Sequence, residues 1–196
     1  KGDLIAYYRD MAPMILPYLK DRPESLHRHP NGITGESFFQ KDVGDQPPEW
    51  VKTVKIRSES EKKQINYIVC NDRATLLYLA NLGCIELNPW NSRVGALGRP
   101  DYLILDLDPV GVPFDEVVAV ARTIHDMLED GGIPSVCKTS GKRGLHVYVP
   151  LGAKYSHEQA KDFAHVIALL AHEALPKTTS LERLPKKRQK KVYIDY

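Results

Sequence analysis

The sequence predicts an α+β chain in which a split β-α-β-β-α-β sheet, backed by helices, follows an N-terminal α/β portion. Three observations predict it. From residue 102 the pattern runs strand, helix, strand, strand, helix, strand, with no internal repeat. Val117, Ala121, Ile124 and Leu128 recur at the period of a helix buried on one side. Leu145, Val147 and Val149 alternate with His146, Tyr148 and Pro150, the period of a strand with one covered face.

In chain order, Asp3 to Leu19 reads as a helix that Asp3 caps, with Ile5, Tyr8, Met11 and Ile15 near helical spacing. Pro13 and Pro17 are expected to kink or end it. Arg22 to Gly35 mixes loop and strand around the turn signal Asn31-Gly32. In Ser37-Phe-Phe-Gln-Lys41, neighbouring side chains on a strand face opposite ways, so at most one of Phe38 and Phe39 is expected in the core. An exposed ring there can stack a nucleobase. Val51–Arg57 and Gln64–Val69 form a hairpin across the charged turn 58–63, and Asn71–Leu82 is a helix stopped by Gly83. Cys84–Leu87 is a short strand. Tyr102–Asp108 is a strand that Pro109 is expected to stop. A helix from Pro113 to Asp130, ended by Gly131-Gly132, leads to a strand over Ile133–Lys138 and a turn over Thr139–Gly144. Ser156 caps a helix to Ala174, with Ala160, Phe163, Ile167, Leu170 and Ala174 inward. The last strand begins at Val192.

The 196 residues are 42% hydrophobic with a net charge of +2, so this is a globular composition without an overall polyelectrolyte character. The charge is local: Lys177, Arg183, Lys186, Lys187, Arg188, Lys190 and Lys191 enclose a single acid, Glu182, and run into the apolar strand Val192-Tyr-Ile194. Cys70, Cys84 and Cys137 have no zinc spacing, and an odd count without a signal peptide suggests a reduced, cytoplasmic protein. No apolar run reaches the roughly 20 residues of a membrane helix. The chain starts at Lys1 without a methionine and stops at Tyr196 in mid-strand, so a piece of a longer protein is expected.

Asp106 and Asp108 lie two apart on a strand and therefore share a face. Two such carboxylates repel unless a cation lies between them, and Mg²⁺ takes oxygen ligands of this kind. A bare Asp-x-Asp is more often two acids at the mouth of a loop. Here, however, Tyr193 and Asp195 alternate against Val192 and Ile194, so Asp195 can join the same face, as can His146. Three carboxylates on neighbouring strands suit a two-metal phosphoryl-transfer site. The turn Ser140-Gly-Lys142-Arg143-Gly144 offers a hydroxyl, two cations and backbone amides for phosphate, without the Walker spacing. Arg188, seven residues before Asp195, can clamp a phosphate tail. Three readings stay open on these residues: a nucleotide polymerase, a non-catalytic binding module, and another metal enzyme such as a nuclease or glycosyltransferase.

The order Asp-x-Asp, helix, strand, Ser-Gly-x-x-Gly-x-His, helix, basic segment, strand ending in Asp resembles the archaeo-eukaryotic primase superfamily. Within it, the chain resembles the polymerase domain of the bacterial DNA ligase D family. The matching stretches are Lys1-Gly-Asp-Leu-Ile-Ala-Tyr-Tyr8, His29-Pro-Asn-Gly32 with Phe38–Lys41, Gly83–Leu87 with Pro89-Trp90, Asp101–Pro109, Thr139–Leu151 and Val192–Tyr196. The resemblance implies a primase-like fold over residues 1–196, with a DNA-end-binding portion at 1–100 and an RRM-like catalytic portion at 101–196. It implies that Asp106, Asp108 and Asp195 bind two Mn²⁺ or Mg²⁺ ions and that Ser140, Lys142, Arg143, His146 and Arg188 hold the nucleoside triphosphate. Phe38, Phe39, Lys1 and Lys41 would lie near DNA. It also implies templated addition of nucleotides, often ribonucleotides, to gapped or broken DNA bearing a 5′-phosphate during non-homologous end joining. Ku and a fused ligase domain are the implied partners, and the bacterial nucleoid the implied location. The family usually carries lysine where this chain has Arg143, and histidine where it has Asn88. It also extends beyond this chain on both sides.

Overall fold

The structure, a computed structural model, describes residues 1–58, 61–188 and 190–196. The chain divides into two compact units, Lys1–Leu97 and Gly98–Tyr196.

The first unit opens with α1 (Gly2–Leu19), followed by β1 (Pro23–Arg28), β2 (Phe38–Gln40), β3 (Thr53–Ser58), β4 (Lys63–Val69), α2 (Arg73–Asn81) and β5 (Cys84–Pro89). Neither Pro13 nor Pro17 ends α1, which runs through both. Its buried face, Tyr8, Ala12 and Leu19, joins one core with Leu76, Leu79 and Ala80 of α2, and that packing holds the helix despite its lost donors. Asp72 caps α2 by accepting from the Thr75 amide at 2.8 Å. The sheet order is β2-β1-β4-β3, with β5 on the other side of β1. The hairpin β3–β4 pairs in register from Thr53↔Ile68 to Ser58↔Lys63, and residues 59 and 60 of its turn lie outside the described residues.

One acid is buried in this core. Glu24 on β1 has no solvent exposure, and neither carboxyl oxygen has a hydrogen-bond partner among the described residues. Burial pushes its pKa up to about 8, against a smaller opposing pull from Arg22. The folded state therefore favours the protonated form. Its contribution to stability is full below pH 4.5 and is lost as pH rises towards 8. Glu24→Gln should remove that loss, so wild type and variant should diverge by on the order of 3 kcal/mol between pH 5 and pH 8.5 in denaturant titrations. Parallel pH profiles would contradict this.

The second unit comprises β6 (Tyr102–Val110), α3 (Phe114–Asp130), β7 (Val136–Thr139), β8 (Leu145–Pro150), α4 (His157–Ala174), β9 (Thr179–Ser180) and β10 (Lys191–Asp195). The sheet order is β7-β8-β6-β10-β9, antiparallel except for the parallel β9–β10 pair. Leu103, Leu105, Leu107, Val147, Val149, Val192 and Ile194 form one core with the apolar stripes of α3 and α4. Both α3 and α4 pack on that apolar face, and the acids lie on the other.

Three details depart from the sequence reading. Pro109 lies inside β6 rather than ending it. Pairing with β8 stops at Leu107, whereas pairing with β10 continues to Val110, so Pro109 sits where β6 has one neighbour and a missing donor is tolerated. The buried face of α4 is Ala160, Ala164, Ile167, Ala168 and Ala171, with Leu170 exposed. Small residues let α4 approach the sheet, and the larger Leu170 falls on the outer flank. The short strand β9 was hidden by the basic segment around it. Among the described residues, no helix is long and apolar enough to cross a membrane.

Candidate active site

Register builds the site. His146 on β8 pairs with Asp106 on β6, Asp195 on β10 pairs with Asp106 from the other side, and Lys138 on β7 pairs with His146. Lys138, His146, Asp106 and Asp195 therefore form one row across four strands. Asp108, two residues along β6, is level with Tyr193.

The row is electrostatically graded. Lys138 Nζ lies 3.5 Å from His146 Nδ1, and His146 Nε2 lies 3.4 Å from Asp106 Oδ1. A lysine donates, so Nδ1 accepts and the imidazole proton sits on Nε2. Burial, then the Lys138 charge, holds the His146 pKa below its usual value, so the ring is neutral at pH 7. Asp106 is pushed the other way, to about 6, chiefly by burial and then by Asp108 and Asp195, with Lys138 opposing. The His146 approach does not reach hydrogen-bond geometry, and the buried Asp106 Oδ1 has no hydrogen-bond partner among the described residues. A buried, unsatisfied carboxylate oxygen beside two more carboxylates fits a hard divalent cation. The three acids do not bring their ligand atoms within 4.8 Å of one another. Among the described residues, His125, Asp126 and Glu129 do, on an exposed stretch of α3.

The turn after β7 is held against β6. Ser140 N donates to the Gly144 carbonyl at 3.0 Å, and Ser140 Oγ accepts from the Gly144 amide at 3.0 Å. Gly141 takes a φ of +92°. Gly144 lies so close to the Leu107 carbonyl oxygen that a Cβ would overlap it. The turn thus sits on the backbone between Asp106 and Asp108. Lys142 and Arg143 line a cavity of about 390 Å³ with Pro109, Gly111, Val112 and Phe114. Arg188 stacks its guanidinium 3.6 Å from the centre of the Tyr193 ring.

The remaining sequence-derived residues lie in the first unit. Phe38 and Phe39 are both exposed, at 47% and 63%, within the expectation that at most one of them lies in the core. β2 is an edge strand, and each ring lies on its cross-strand partner on β1: Phe39 stacks on His27 at 4.3 Å, and Phe38 lies beneath the Arg28 guanidinium at 5.3 Å. Lys41 is exposed just after β2. Lys1, also exposed, lines a cavity of about 330 Å³ with His29, whose buried ring nitrogens have no hydrogen-bond partner. Asn88 pairs with Ser25 on β1. Sequence reasoning missed Lys138 and the stacking of Arg188 on Tyr193. Alternation marks which face a residue shares, but the register that sets Lys138 level with His146 is fixed only in the fold.

Comparison with known proteins places these features in context. The family model described as LigD, primase-polymerase domain, matches residues 1–196. The chain is 34% identical over 198 residues to the bifunctional non-homologous end joining protein LigD of Bacillus subtilis, covering all of this chain and 31% of that protein. It is 30% identical over 197 residues to the multifunctional LigD of Pseudomonas aeruginosa, again over the whole chain but only 23% of the relative. The chain thus spans under a third of the length of these relatives. The polymerase domain from Mycobacterium tuberculosis ligase D, solved in complex with DNA, superposes with a TM-score of 0.91 at 28% identity, covering 99% of this chain and 70% of that one.

Proposed function

The chain belongs to the LigD primase-polymerase family, and from that membership we propose that it adds nucleotides to DNA ends or gaps under the direction of a template. The observation that carries this reading is the row Lys138–His146–Asp106–Asp195, with the Ser140–Gly144 turn seated against β6 beside it.

In this reading a primer 3′-hydroxyl oxygen attacks the α-phosphorus of a nucleoside triphosphate: a new P–O bond forms as the bond from that phosphorus to the α,β-bridging oxygen breaks, pyrophosphate leaves, and the hydroxyl proton passes to solvent. Asp106, Asp108 and Asp195 would hold a pair of Mn²⁺ or Mg²⁺ ions, which when bound supply charge neutralisation and a more acidic attacking hydroxyl. The chain's own groups do the rest. Amides and cations of residues 140–143 receive the phosphates. Arg188 adds a planar donor for the phosphate tail. Neutral His146 presents an Nε2 proton beside Asp106, suited to a sugar or phosphate oxygen. Phe38 and Phe39 offer faces to template bases, and Lys1 and Lys41 offer charge to the backbone or 5′-phosphate. The substrate class is gapped or broken DNA with a 5′-phosphate, together with ribo- or deoxyribonucleoside triphosphates. Ku and a ligase domain of the same polypeptide are the proposed partners, and the bacterial nucleoid the proposed location.

The test is primer extension on a gapped, 5′-phosphorylated duplex with Mn²⁺ and one nucleoside triphosphate at a time. The expected product is a strand lengthened only by the base complementary to the template. A shortened strand would indicate a nuclease. Metal-independent DNA binding without lengthening would indicate an end-binding module.

A further inference from the structure

We propose that Tyr193 is a positioning residue of this site, its ring seating the Arg188 guanidinium and its hydroxyl fixing the Asp195 carboxylate. The proposal rests on the functional reading above and concerns a residue that reading does not use.

Tyr193 lies on the acid face of β10, level with Asp108, yet it is only 3% exposed. Arg188 covers it, with Cζ 3.6 Å from the ring centre. The guanidinium is fixed further where Nε donates to the Glu182 carbonyl at 3.1 Å and Nη2 to the Arg183 carbonyl at 2.9 Å. Those bonds commit two of its five N–H groups and leave three for an anion. A guanidinium over an aromatic face is held there by cation–π attraction. At its other end, the Tyr193 hydroxyl donates to Asp195 Oδ1 at 3.1 Å. A hydrogen bond to one carboxylate oxygen sets the direction of the other, as partners beyond the immediate ligands do in metal sites. One side chain therefore orients both the cation meant for phosphate and an acid meant for metal. The two functions depend on different parts of it, the ring and the oxygen.

That division supplies the test. Tyr193→Phe keeps the ring and removes only the hydroxyl. Tyr193→Leu removes both. In Mn²⁺ titrations followed by electron paramagnetic resonance, Tyr193→Phe should weaken Asp195-dependent binding by about tenfold. Its thermal midpoint and its KM for nucleoside triphosphate at saturating Mn²⁺ should stay near wild type. Tyr193→Leu should weaken Mn²⁺ binding equally and also raise that KM, as Arg188→Ala would. Should Tyr193→Leu fail to fold, Tyr193→Phe decides alone. Wild-type Mn²⁺ affinity in Tyr193→Phe would overturn the proposal and leave the functional reading standing. Absence of any Asp106-dependent Mn²⁺ binding in the wild-type chain would overturn both.

Discussion

Asp106→Asn should abolish templated nucleotide addition, a loss of at least about 10³-fold, while making the protein more stable at neutral pH. The two effects share one cause. Asp106 sits between Asp195 and His146 in register, with Asp108 two residues along, and its carboxyl pKa is lifted to about 6 by burial and by those two acids. At pH 7 the folded chain must hold a charge its surroundings disfavour. The sign follows directly. A raised carboxyl pKa means that the group's contribution to stability is present below 3.8 and is lost as pH climbs to about 6. Because the side chain is 39% exposed, solvent screens much of this, and the relief on substitution should be about 1 kcal/mol. Asparagine keeps the shape, removes the charge, and leaves nothing there for a divalent cation to neutralise. Mn²⁺ should therefore raise the thermal midpoint of wild type, by mass action on the folded state, and leave that of Asp106→Asn unchanged. Protons compete for the same oxygens, so Mn²⁺ affinity should fall as pH drops below about 6. Retained primer extension in Asp106→Asn would remove the acids from the mechanism. A less stable variant would remove the electrostatic account of Asp106.

The reach of sequence reasoning can be judged residue by residue. Period-two alternation sufficed to put Asp106, Asp108 and His146 on one face and the leucines and valines on the other, because a covered face writes itself into every second position. It also placed Asp195 on the acid face, which the register Asp195↔Asp106 bears out as geometry. Register itself was not legible. Lys138 meets His146 only because the turn between their strands has one particular length and a glycine that allows close approach. Local rules failed where tertiary packing outweighed them: Pro13 and Pro17 remain inside α1, and Pro109 remains inside β6. Phe38 and Phe39 show what alternation leaves open: it allowed at most one ring in the core, and an edge strand lets both rest on His27 and Arg28 while staying exposed. Tyr193 shows the converse: a polar-face position becomes buried because a cation folds over it.

Gly144→Ala should be the most damaging single-methyl change in the second unit. The glycine has no positive φ, so backbone strain is not the issue; its constraint is space. A Cβ there would overlap the Leu107 carbonyl oxygen, which belongs to the central strand and cannot swing aside as a flexible side chain can. Either the turn lifts off β6, breaking the paired bonds between Ser140 and Gly144, or β6 shifts and disturbs the acids on either side of Leu107. A cost of about 3 kcal/mol is expected, within the range of overpacking at a rigid site. Gly141→Ala provides the contrast. It has open space but a φ of +92°, so it should cost only about 1 kcal/mol through the left-handed backbone. Gly98→Ala, with open space and no such φ, should be nearly neutral. Denaturant midpoints of the three variants should fall in that order. Nucleoside triphosphate affinity should drop for Gly144→Ala and Gly141→Ala, because both distort the phosphate-facing turn, and should hold for Gly98→Ala. If Gly144→Ala were as stable as Gly98→Ala, the close seating of the turn on β6 would be wrong, and with it the placing of Ser140, Lys142 and Arg143 beside the acids.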